Sequence, residues 1–287
     1  MFMLIIDSQV HIWAADRPDR PWPKPGAGGR NAKPNRPVPL GYREMIGEMD
    51  AAGVDAAILV PPSWEGEYND LVLDAVASYP RRFGIMGRIA PDDPDGPRRI
   101  AHWKDQPGMI GVRVLFEPGS VWPEAGVDQW LWPAAEAAGV SITLASRGYF
   151  GLIERIVQRF PKLRFSIDHL GADWSKTDAA AFVNLHEVLK LAAYPNVAVK
   201  ASMLPALSSE PYPYRNVHRY LRAAYDAFGP RRFFWGANLS RLSCSYRQAV
   251  TLFTENLPWL SGHDLEWVMG RALCEWLGWN PAGAEVG

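Results

Sequence analysis

What most constrains the fold of this chain is an alternation that runs through nearly its whole length. Short apolar runs of strand length alternate with segments of helical period. After a first strand within 4–13, strands are expected at 56–60, 83–89, 111–116, 141–145, 163–169, 197–202 and 232–238. Helices are expected at 42–52, 69–79, 97–103, 128–138, 151–160, 178–193 and 215–228, with two more at 245–256 and 264–276. The punctuation agrees: Gly53, Pro61-Pro62, Gly139 and Pro161 stand where elements stop. Eight strands, each followed by helix or loop, predict a parallel sheet. A (β/α)8 TIM barrel takes about 250 residues as one unit, so the 287 residues read as one domain spanning 1–287.

In such a barrel the C-terminal ends of the strands form the floor of the active site. The first strand runs from Leu4-Ile5-Ile6 into Asp7, Gln9 and His11, spaced so that all three are expected on one face. A purely structural reading, a buried histidine bonded to its neighbours, stands beside the functional one. At the ends of later strands, inward polar positions are expected at Arg113, His169, Lys200 and Asn238, with Arg88, Ser146 and Arg147 beside them. Asp168 precedes His169 on a strand and is expected to face the other way. The irregular segment 14–39 is rich in Pro, Arg, Gly and Asn and would lie over the mouth. There Trp13, Arg17, Arg20 and Trp22 are placed to meet a substrate, or else belong to a merely solvated loop.

Composition narrows the function. Apolar residues make up 48% and charged residues 21%, with a net charge of −1 and no long block of like charge. Neither a nucleic-acid nor a membrane surface is indicated. No run approaches the ~20 apolar residues of a membrane span, and the apolar start is too short for a signal peptide. A soluble, cytoplasmic protein is expected. Cys244 and Cys274 have no metal-type spacing. Thirteen tryptophans are many, and those in loops suit the walls of a pocket for a flat or apolar ligand. The composition marks no distinctive interface, so a homo-oligomer stays open.

Each polar candidate has a chemistry. Arg113 suits a carboxylate, which a guanidinium binds through two parallel bonds; its structural alternative is an ion pair with a buried acid. Lys200 and Arg88 would add positive charge, favouring a small anionic substrate. His169 or His11 would serve as general base or as donor to a carbonyl oxygen.

The sequence resembles the amidohydrolase-2 group, which includes 2-pyrone-4,6-dicarboxylate lactonase and sugar-lactone hydrolases. The group opens on I-D-x-H-x-H-x-W; this chain has Ile6-Asp7-Ser8-Gln9-Val10-His11-Ile12-Trp13. Further landmarks follow in family order: Gly111-Val112-Arg113, Asp168-His169-Leu170-Gly171, Val199-Lys200, Phe228 to Asn238, and Met269-Gly270-Arg271-Ala272. The resemblance implies a TIM-barrel hydrolase acting on a lactone or a related C–O or C–N bond. It also marks two departures: Gln9 stands for a histidine and Asn238 for the strand-eight aspartate. The group's usual metal site joins two strand-one histidines, a downstream histidine and that aspartate. With Gln9 and Asn238 offering only amides, His11 and His169 fall short of the three good ligands a catalytic zinc needs. No bound metal is therefore expected, with zinc or manganese as the alternative.

In the metal-independent lactonases of the group the strand-eight aspartate is the expected base for water. Three readings of Asn238 follow: a histidine is the base, the protein binds without catalysing, or the aspartate was replaced to trap a ligand. Gln9, Trp13, Arg88, Arg113, Ser146, Arg147 and Lys200 are the expected substrate contacts, and His11, His169 and Asn238 the expected catalytic positions.

Overall fold

The structure, a computed structural model, describes residues 3–23, 36–116 and 129–281. Eight parallel strands pair in chain order: β1 (Ile6–Val10), β2 (Ala56–Leu59), β3 (Phe83–Gly87), β4 (Met109–Phe116), β5 (Ser141–Ser146), β6 (Phe165–Ile167), β7 (Val197–Ala201) and β8 (Phe233–Trp235). The sheet curls until its edges meet, with the Asn238 N–H donating to the Gln9 carbonyl at 2.9 Å. The Ala237 N–H reaches Asp7 Oδ1, also at 2.9 Å. Gly236 permits this approach, because a Cβ there would lie 2.5 Å from Ser8 Oγ. A nearly closed (β/α)8 barrel results.

Strands buried on both faces need apolar residues on both, and the sequence supplies them. Ile6, Ile58, Met86, Ile110 and Phe234 fill the interior together with Trp267 and Leu273 from the C-terminal helices. Val112, Val114, Ile142, Leu144, Ile167, Val199 and Trp235 face the surrounding helices. Each such side chain contributes about 1.5–3 kcal/mol on burial.

Helices α1 (Tyr42–Ala52), α2 (Asp70–Ser78), α3 (Gly96–Ala101), α4 (Leu131–Ala138) and α5 (Phe150–Arg159) lie close to their expected places. Position 128, the expected start of α4, lies outside the described residues. Gly53 ends α1 in the left-handed region at φ 76°. The single long helix expected over 178–193 is instead α6 (Asp178–Ala181) and α7 (Leu185–Lys190) followed by a 3-10 turn. After α8 (His218–Phe228), α9 (Tyr246–Glu255) opens on a capping box, with Ser245 Oγ accepting the Gln248 N–H at 3.2 Å. The last expected helix is broken into α10 (Gly262–Glu266), a π-helical turn (Trp267–Arg271) and α11 (Ala272–Leu277).

One expectation about β1 needs correcting. Its pairing with β2 shifts register between Asp7 and Val10. Such an irregularity breaks strict alternation. Asp7 consequently serves the helix layer, accepting from Tyr246 Oη of α9 at 2.7 Å, while Gln9 meets Lys200 of β7. Asp7, Gln9 and His11 do not share one face. Asp7 also accepts from the Gln9 N–H at 2.9 Å, so it ties β1, the end of β8 and α9 together. Burial pushes its carboxyl up to about 6, against the pull of these three donors.

Candidate active site

The polar floor follows from strand parity. Val112 and Val114 face the helices, which turns Arg113 inward; Val199 and Ala201 do the same for Lys200, and Phe165 and Ile167 for Ser166. Continuing that parity carries Asp168 inward as well. Arg113 Nε donates to Asp168 Oδ2 at 2.8 Å, and Lys200 Nζ lies 3.2 Å from Asp168 Oδ1. The second contact is an ion pair rather than a hydrogen bond, since Oδ1 makes none. Lys200 Nζ donates instead to Gln9 Oε1 at 2.9 Å.

All four side chains are buried. Burial alone would raise Asp168, but the Lys200 and Arg113 cations outweigh it and hold the carboxyl well below the usual carboxylate range. Burial lowers Lys200, and Asp168 opposes that. Asp168 is thus the carboxylate that both buried cations contact.

β6 stops at Ile167, and the chain turns through left-handed backbone at His169 and Leu170, both at φ 55°. This turn swings His169 into the site beside Asp168. The sequence expectation that the two neighbours face apart is corrected by it. His169 Nδ1 lies 2.7 Å from Ser202 Oγ, and its Nε2 lies 3.5 Å from the Asn238 side-chain nitrogen. Asn238 is itself left-handed at φ 55°, a conformation asparagine tolerates better than most residues.

His11 Nδ1 lies 2.6 Å from the Val60 carbonyl. A carbonyl only accepts, so Nδ1 carries the proton and Nε2 a lone pair. The ring packs edge-on against Trp64 and His169 against Trp174. Burial, helped by the Arg113 charge, pushes His11 down to about 3. Burial likewise brings His169 down to about 4, with Asp168 opposing. Both rings are therefore neutral proton acceptors near pH 7.

The other expected contacts are engaged within the protein. Arg88 forks onto Glu67 through Nε and Nη2, each at 2.9 Å. Arg147 lies over the Trp174 ring and 3.5 Å from Asp173. Ser146 Oγ donates to the Gly148 carbonyl. Trp13 is buried and packs edge-on to Trp64. At the rim, Arg20 pairs with Glu65 and Asp70 and lies over Tyr68, Arg17 pairs with Asp19, and Trp22 Nε1 donates to the Ala14 carbonyl. The rest of the 14–39 segment, residues 24–35, lies outside the described residues. Arg113 does find a buried acid, the alternative its sequence allowed.

A divalent metal does not fit this donor set. Gln9 Oε1 is turned to an ammonium, Asp168 carries two cations, and Asn238 presents an amide. Among the described residues, no three His, Cys, Asp or Glu side chains are grouped to hold a metal ion. The site residue missed at the sequence level is Asp168. Its signal was parity with Ser166, together with the need of two buried cations for a counter-charge.

The chain is 26% identical over 254 residues to L-fucono-1,5-lactonase of Burkholderia ambifaria, covering 83% of this chain and 81% of that one. It is 28% identical over 208 residues to 4-sulfomuconolactone hydrolase of Hydrogenophaga intermedia, covering 69% and 64%. The fold matches the crystal structure of an amidohydrolase from Burkholderia multivorans with bound zinc. That match has a TM-score of 0.75 at 21% identity, covering 96% of this chain and 99% of the other. The family model described as amidohydrolase (Amidohydro_2) matches residues 6–271, nearly the whole barrel, and the chain belongs to that amidohydrolase family.

Proposed function

We propose that this enzyme hydrolyses a small lactone by attack of water on the ring carbonyl, using its own side chains and no tightly held metal. One observation carries the reading: His11 is fixed by the Val60 carbonyl so that an unprotonated Nε2 belongs to a floor holding Arg113, Lys200 and His169. In this mechanism His11 Nε2 takes the proton of the attacking water. His169, steadied by Ser202, relays a proton to the leaving ring oxygen. The Arg113 guanidinium in the floor stabilises charge growing on the carbonyl oxygen.

Turnover of a panel containing L-fucono-1,5-lactone and 4-sulfomuconolactone tests this. Because His11 and His169 sit near 3 and 4, kcat/KM is expected to stay level from pH 8 down to about 5. An acid limb near the ordinary histidine value of about 6.5 would contradict the assignment.

A second reading, a ligand-binding protein on a hydrolase scaffold, is favoured by the amides at Gln9 and Asn238. Calorimetric binding of a lactone that is recovered unchanged would establish it instead.

A further inference from the structure

The Gln9 side chain is wholly buried, and its two ends differ. Lys200 Nζ can only donate, so the Gln9 atom 2.9 Å away is the oxygen. That contact fixes the amide's orientation and leaves Nε2 at the other end, where no group among the described residues accepts from it. Buried side-chain donors are nearly always satisfied, so an orphaned amide in the floor calls for an acceptor from outside the protein. Lys200 and Arg113 beside it are donors, and Asp168 faces those two cations, accepting from Arg113 Nε and lying 3.2 Å from Lys200 Nζ without bonding to Gln9.

We propose that Gln9 Nε2 is the oxyanion donor of the hydrolysis and that Lys200 is the positioning residue that aims it. The inference rests on the lactone-hydrolase reading above. As the oxygen of water bonds to the carbonyl carbon, the π pair moves onto the carbonyl oxygen, which Gln9 Nε2–H then binds. The proton leaving water goes to His11 Nε2. When the pair returns, the ring C–O bond breaks and the departing oxygen takes the proton that His11 accepted, relayed by His169, so lactone and water give one hydroxy acid and both histidines end neutral. The position that holds a histidine in the group this chain resembles would thus have exchanged metal binding for hydrogen-bond donation.

Steady-state kinetics of Gln9→Met, Gln9→Glu and Lys200→Met on L-fucono-1,5-lactone test the assignment, with 4-sulfomuconolactone as the second substrate. Removing one oxyanion donor typically lowers kcat by 10²–10³-fold. Both Gln9 variants are expected to show that loss, and in Gln9→Met KM should move by less than about threefold. Gln9→Glu keeps an acceptor for Lys200 and so guards against a mere folding defect. The double variant Gln9→Met/Lys200→Met should cost no more kcat than Gln9→Met alone, because both changes act through one amide. Additive losses would overturn the positioning role. Near wild-type kcat in Gln9→Met would overturn the oxyanion donor while leaving the hydrolase reading intact. Absence of turnover by the wild-type protein on both lactones would overturn that reading, and this assignment with it.

Discussion

Asp168→Asn is expected to destabilise the folded protein by about 3–5 kcal/mol, the usual cost of breaking a buried ion pair from one side. The reason is what remains: Arg113 and Lys200 are both buried, and Asp168 is the carboxylate both contact. Asparagine keeps the shape and removes the charge. A lower denaturant midpoint at unchanged slope would report the loss. The same carboxylate gives stability a pH dependence of known sign. Its folded-state pKa is depressed, so its contribution is complete above the unfolded value of about 3.9. That contribution is lost as pH falls through and below the usual carboxylate range. A loss under about 1 kcal/mol in Asp168→Asn would mean that the two cations are compensated elsewhere.

Asn238→Asp is expected to raise lactone turnover by 10²–10⁴-fold, the span of general-base assistance. A base near 3, as His11 is, accepts a proton weakly, so the wild-type floor is short of basicity. A carboxylate at position 238 would add a second acceptor. It would also sit within about the present 3.5 Å of His169 Nε2 and draw that ring's pKa upward from about 4. The rate gain should therefore come with a shifted acid limb in kcat/KM. Because the change is nearly isosteric, KM should move much less than kcat, apart from repulsion of an anionic substrate. Unchanged turnover with an unmoved limb would show that Asn238 does not limit proton transfer.

The barrel was legible because its determinants are local and repeated. Apolar strands, helical periods and stops such as Gly53 and Pro161 each declare themselves within a few residues. Inward placement of Arg113 and Lys200 was legible for the same reason, since a period of two survives along a regular strand. It failed where regularity ends. The register shift between Asp7 and Val10 turned Asp7 toward Tyr246, and the left-handed turn at His169 brought two sequence neighbours into one site. The first has no glycine or proline to announce it, and in the second Gly171, left-handed at φ 67°, marks a turn without saying that the residues before it share the left-handed backbone. The partners that occupy Arg88 and Arg147, Glu67 and Asp173, come from separate loops, and no local pattern links them. The long helix expected over 178–193 broke at Phe182–Asn184, where apolar period alone gave no warning.

The measurement that bears most directly on the account is lactone turnover by protein treated with a strong chelator and then supplied with zinc. The residues a metal would need are turned to other work: Gln9 to Lys200, Asp168 to Lys200 and Arg113, Asn238 toward His169. The account predicts that kcat/KM stays within about twofold through both treatments, and that His11→Asn lowers it by 10²–10⁴-fold. Turnover abolished by the chelator and restored by stoichiometric zinc would contradict it.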